Sequence, residues 1–263
     1  MKKAANNIGQ LFNFMRKGMM IPKIIHYCWY GGKSLTRQAL KCIRSWETIC
    51  PDYAVMRWDE HNTDFTVNQV MNRAYKERRW ALVSDIMRLL AVYQYGGIYL
   101  DLDVELLKPL DYFLRHEAYF GFENQFRINT GHGFGAEAHS AIIAKMLDIY
   151  QENVFWKPDG SFNFTACPKL NTQVLFESGF KPEDRFQIIN RIAVYPSEYF
   201  CPKNYQTGKL KCTVHTYSIH HYRGTWLPLK LKIKLRILHT LGERGRKIYG
   251  RLEKALLGTR ILL

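Results

Sequence analysis

Acidic side chains are scarce in this chain of 263 residues: 23 Asp and Glu stand against 38 Lys and Arg, a formal charge of +15. The shortage is uneven. Residues 228–263 hold ten basic side chains and only Glu243 and Glu253, and residues 1–20 hold four basic side chains and no acid. The ends therefore carry +8 and +4, and the body, 21–227, keeps only +3. A nearly balanced body argues against nucleic acid as its partner, whereas basic ends suit an anionic surface. The six cysteines form no Cys-x-x-Cys pair, which argues against a zinc cage. No apolar run approaches the roughly 20 residues of a membrane-spanning helix. Asn6, Asn7, Gly9, Gln10 and Asn13 interrupt the segment after Met1-Lys2-Lys3, so no signal peptide is read there. Together these absences lead to the expectation of a cytoplasmic protein with reduced thiols.

What is present is ample core material, 47% hydrophobic and 14% aromatic. Ile21 to Trp29 reads as a buried first strand stopped by Gly31-Gly32, and 35–50 as a helix with Leu40, Ile43 and Trp46 at helical spacing. Tyr53 to Trp58 is a second strand and 66–77 a short helix. Residues 80–95 carry a strong helical pattern ended by Gly96-Gly97, and Ile98 to Val104 reads as a strand that turns acidic. Further on, 118–123, 194–195 and 213–221 read as strands, 139–153 as a helix, and 171–177 as part of another. Alternation of this kind predicts an α/β domain with a mostly parallel sheet. Residues 1–20 read as a basic amphipathic segment, 21–227 as the domain, and 228–263 as a basic amphipathic tail.

In open sheets of this class ligands gather at the carboxyl ends of the strands, where Asp101 and Asp103 are placed. On a strand, i and i+2 share a face. Two carboxylates so placed repel unless a cation lies between them, and oxygen ligands suit Mg²⁺ or Mn²⁺, which in turn hold diphosphate oxygens. Asp85 and Arg88 are i, i+3 neighbours on one helix face. By themselves the acid pair also fits a solvated loop, and Asp85–Arg88 a structural salt bridge.

Ser84-Asp85-Ile86-Met87-Arg88, followed by Tyr95-Gly96-Gly97-Ile98-Tyr99-Leu100-Asp101-Leu102-Asp103, resembles the sugar-binding region of glycosyltransferase family 32. That family is related to glucosylating bacterial toxins. The resemblance extends over roughly 21–227 through the opening strand and a closing His/Trp element. It implies a GT-A-type fold and a metal-dependent, retaining hexosyltransferase of surface polysaccharide synthesis. The implied partners are a nucleotide diphosphate sugar, with UDP preferred, and a glycan or lipid-linked saccharide acceptor.

Carried over by resemblance, Trp29 stacks on the nucleotide base and His26 buttresses the site. Asp85 and Arg88 hold donor hydroxyls and phosphates. Asp103 binds the metal, and Asp101 binds ribose or reaches the metal through water. Asn129 lies in a glycine-rich stretch similar to the family's sugar-side segment. The run Tyr217 to Trp226 resembles the closing element, with Thr225 where the family usually has serine. It offers Trp226 to the donor and a histidine to the metal, His221 first and His220 second. The tail reads either as a final packed helix pair carrying solvent-exposed lysines or as an interfacial segment docking on anionic lipid, and the second gives the expectation of a peripheral protein on the inner membrane face. Two competing classes are a metal-dependent phosphoryl-transfer enzyme and an inactive membrane adaptor on a transferase scaffold. The first would want more acids near Asp101. The intact Asp85, Arg88, Asp101 and Asp103 set speaks against the second.

Overall fold

The computed structural model describes residues 20–223 except 125, 164, 166 and 206, together with 233, 240 and 241. The basic segments expected at 1–20 and 228–263 lie almost wholly outside the described residues, as does Trp226. Contacts divide the chain into two units. The larger comprises 1–202 and 211–221, and the smaller 203–210 and 222–263. Within the smaller, Lys203 and Leu210 form a β-bridge and Tyr205 packs edge-on against Tyr222.

The larger unit opens with β1 (Ile24–Cys28), buried throughout. Helix α1 (Arg37–Ile49) starts where the Thr36 side chain accepts the Ala39 N–H. Strand β2 (Ala54–Trp58) follows. The helix expected over 66–77 is divided. Asn68 accepts the Met71 N–H as an N-cap, so a 3-10 turn (Phe65–Val67) precedes α2 (Gln69–Lys76). Helix α3 (Trp80–Tyr95) has the expected bounds, and Gly96 and Gly97 then adopt positive φ. A Cβ on Gly97 would meet the Ile24 carbonyl at 2.8 Å, which explains glycine where α3 passes into the sheet.

Strands β3 (Gly97–Tyr99), β4 (Val104–Leu106), β5 (Ala118–Asn124), β6 (Arg127–Ile128) and β7 (Phe134–Ala136) come next. They are followed by α4 (Ala141–Asp148), α5 (Glu152–Phe155), α6 (Cys167–Glu177), β8 (Gln187–Ile189), β9 (Ile192–Tyr195), α7 (Ser197–Phe200) and β10 (Ser218–His220). The main sheet runs β2-β1-β3-β7-β5-β9-β8, with β6 on β5. Strands β2, β1, β3, β5 and β9 share one direction, and β7, β8 and β6 oppose it. The fold is thus α/β with a mostly parallel central sheet, as the alternation predicts. One face buries Ile86, Leu89, Phe120, Phe134 and Val174 beneath α2, α3, α4 and α6. The other buries Ile25, Ile98, Phe113, Tyr119 and Tyr195 beneath α1 and the 3-10 turn at Asp111–Phe113. Five strands therefore open their carboxyl ends along one edge.

Among the described residues no helix is long and apolar enough to cross a membrane. All six cysteines are free.

Candidate active site

The acidic segment leaves β3 as a turn. The Asp101 N–H donates to the Gly131 carbonyl (2.9 Å), and the Val104 N–H donates to the Asp101 carbonyl (3.0 Å). The strand expected through Val104 is therefore two short strands around a bend. Ile98, Leu100 and Val104 remain buried, so the apolar pattern reads as one strand although the backbone turns. The bend, not strand alternation, brings the two carboxylates together.

Strand β10 completes the cluster. It pairs antiparallel with β4, with His220 opposite Val104, and His220 Nε2 lies 3.2 Å from Asp103 Oδ1. Ligand atoms from Asp101, Asp103 and His220 all fall within 4.8 Å of one another. Two carboxylates and one imidazole suit a divalent cation. The expectation placed His221 first, and the register reverses that order. Neighbouring strand residues face opposite ways. His221 Nε2 sits 2.8 Å from Glu105 Oε2, and Glu105 also holds Lys41. Burial disfavours a charged His220 ring, but Asp103 outweighs it and keeps the ring protonated well above its ordinary range.

Helix α3 supplies the second half of the site. Arg88 Nη2 lies 3.1 Å from Asp85 Oδ1 and 3.2 Å from Asp101 Oδ1. Its guanidinium covers the Tyr99 ring at 4.8 Å, and the Tyr99 hydroxyl donates to Asp101 Oδ1 (2.9 Å). Burial pushes the Asp85 and Asp101 carboxyls up, and Arg88 between them draws them part of the way back. This geometry ties Asp85 and Arg88 of α3 to the acidic turn through one buried cation.

Sequence comparison agrees on the same stretch: residues 36–120 match the glycosyltransferase sugar-binding region containing the DXD motif. The chain is 30% identical over 114 residues to inositol phosphoceramide mannosyltransferase 3 of Schizosaccharomyces pombe, covering 40% of this chain and 31% of that protein. It is 30% identical over 131 residues to glucan organizing enzyme 1 of Cryptococcus neoformans var. grubii, covering 41% and 36%. It thus spans about a third of the length of these relatives. Among solved structures it is similar to the PaToxG glycosyltransferase, with 21% identity, a TM-score of 0.47, and coverage of 68% of this chain and 77% of that one.

Around the matched stretch the remaining expected residues fall into three groups. Trp29 follows β1 at the same sheet edge as Asp101, half-buried, its indole N–H donating to the Lys33 carbonyl. Asn129 joins the site: its Oδ1 accepts the Gly131 N–H (2.7 Å), and its Nδ2 donates to Glu123 Oε1 (2.9 Å). His26 does not join as a binding group. It is wholly buried, accepts the Trp58 indole N–H on Nδ1 (3.2 Å) and donates from Nε2 to the Gly96 carbonyl (2.8 Å). Burial lowers its pKa to about 4, so it is a neutral buttress fixing the turn between α3 and β3.

Sequence reasoning gave no role to four groups at the site. Tyr99 was visible as the residue two before Asp101. Gly131 was visible within the glycine-rich stretch. Cys167, 3.6 Å from Arg88 Nη1, and Glu123 are distant in sequence and carried no local signal.

Proposed function

We propose that the chain is a metal-dependent, retaining hexosyltransferase that moves a hexose from a nucleoside diphosphate sugar to a glycan or lipid-linked saccharide. The observation that carries this reading is the Arg88 guanidinium held between Asp85 and Asp101, beside the Asp101, Asp103 and His220 cluster. Mannose is a first candidate sugar, because one relative is named a mannosyltransferase. UDP is the preferred carrier, from the toxin-like Trp29 region.

In this reading Asp85 accepts hydrogen bonds from the sugar hydroxyls, and Arg88 donates to hydroxyl or phosphate oxygens. Asp101, Asp103 and His220 hold Mn²⁺ or Mg²⁺, which when bound neutralises the charge of the leaving diphosphate. Trp29 offers the base a flat face at low entropic cost. Asn129 braces the main chain behind Asp101. The buried setting of Arg88 strengthens its interaction with developing negative charge. Retention is expected by a front-face route in which the leaving phosphate takes the acceptor proton. An inverted anomeric centre in the product, read by NMR, would exclude that route.

The basic ends are proposed to hold the enzyme on an anionic inner membrane face, each near-surface cation contributing about 1 kcal/mol. A protein truncated at Pro228 should then lose binding to anionic vesicles; retained binding would contradict this. The experiment for the activity is a panel of nucleotide sugars scored for sugar release with Mn²⁺.

A further inference from the structure

Resting on that reading, we infer that the β5–β6 hairpin is the acceptor subsite, with Glu123 hydrogen-bonding the attacking hydroxyl of a neutral saccharide and Phe126 stacking on its ring. Strand β5 runs parallel to β9 and in the direction of β3, so its carboxyl end reaches the edge that carries Asp101. Its odd residues face one way. A Cβ on Gly121 would meet the His132 ring at 2.9 Å, and the His132 ring lies edge-on to His220 at 6.2 Å. Glu123 is the next odd residue toward the open edge. At this point the pairing with β6 shifts register, between Phe122 and Asn124. Such a bulge re-aims a side chain and is common beside active sites.

The Glu123 carboxylate is tied to the acidic turn by a continuous chain. Oε1 accepts from Asn129 Nδ2, Asn129 Oδ1 accepts from the Gly131 N–H, and the Gly131 carbonyl accepts from the Asp101 N–H. The chain uses Oε1, and among the described residues no donor engages Oε2. Beyond Glu123 the hairpin turns on Asn124, whose side chain accepts the Phe126 N–H (3.0 Å), and leaves the Phe126 ring 59% exposed. An exposed ring on the hairpin, three residues from a half-buried carboxylate, suits a pyranose, which offers an apolar face for stacking and hydroxyls for the acid. In the transfer, the acceptor oxygen forms the new bond to the anomeric carbon. The bond from that carbon to the diphosphate breaks, its electron pair leaving with the diphosphate. The acceptor proton passes to the departing phosphate oxygen while Glu123 orients the O–H.

The test compares sugar transfer with donor hydrolysis in the full chain, using Mn²⁺, the nucleotide-sugar panel, and the methyl glycosides of mannose, glucose and galactose as acceptors. Glu123→Gln and Phe126→Ala should each lower the ratio of transfer to hydrolysis about tenfold, because they lose a charge-assisted bond or a stacking face. Melting curves report whether each variant is folded. Parallel loss of both activities would reduce Glu123 to a prop for Asn129 and overturn the inference. So would an unchanged ratio, or a native enzyme that hydrolyses donor but transfers to none of the glycosides. A native enzyme that releases sugar from no donor would instead sink the transferase reading itself, and the subsite with it.

Discussion

A methyl group on Gly131 would come within 2.2 Å of Asp101 Oδ2. The glycine-rich stretch is therefore packed directly against the acidic turn, and its carbonyl fixes the Asp101 N–H. Gly131→Ala should displace the carboxylate with little loss of fold. Sugar release should fall by roughly 10²-fold or more, as for loss of a preorganised charged group. Steady-state kinetics beside a thermal melt separate the two effects; near-normal turnover would show that the turn can move aside.

Arg88 serves two carboxylates whose surroundings disfavour charge. Arg88→Ala leaves both part-buried carboxylates uncompensated, at a cost approaching the roughly 3–5 kcal/mol of a fully buried pair. Urea unfolding at neutral pH should show a loss of that order together with lost activity. A variant as stable as the parent would mean that water already reaches the pair.

His26 gives the fold a pH dependence with a definite sign. Its ring stays neutral in the fold down to about pH 4, whereas in the unfolded chain it titrates near its ordinary value of 6.5. Between these values the unfolded state binds more protons, so stability falls as pH falls. The contribution is about 3 kcal/mol, lost between roughly pH 6.5 and 4. His26→Gln, which keeps a donor and an acceptor without titrating, should flatten that part of the curve in unfolding titrations at several pH values. An unchanged slope would assign the dependence to other groups.

The two adjacent histidines should separate in metal titrations. His220 faces Asp103, whereas His221 faces Glu105. His220→Ala should raise the Mn²⁺ needed for half-maximal sugar release at least tenfold, and His221→Ala should raise it much less. The opposite ranking would mean that β10 shifts by one residue when the site fills.

Much of the domain was legible from local pattern. The apolar spacing of Leu82, Ile86 and Leu89 and the Gly96-Gly97 stop marked α3, and the bounds hold because nothing competes with the helix there. The acids after the next apolar run marked the site. The turn at Asp101 was hidden because Ile98, Leu100 and Val104 stay buried while the backbone bends. The choice between His220 and His221 depends on pairing with β4, a register set by residues more than a hundred positions away. Glu123 was invisible for the same reason: its role comes from a bulge and a contact to Asn129, neither written in local composition.

Release of free hexose from nucleotide sugars with Mn²⁺ decides whether these residues transfer sugar. The native chain should release hexose from at least one member of the panel, and Asp103→Ala should lose that release by roughly 10²-fold or more, the scale on which a preorganised charge stabilises the leaving group. Equal release by the variant, or nucleotide hydrolysis that liberates phosphate without sugar, would contradict it.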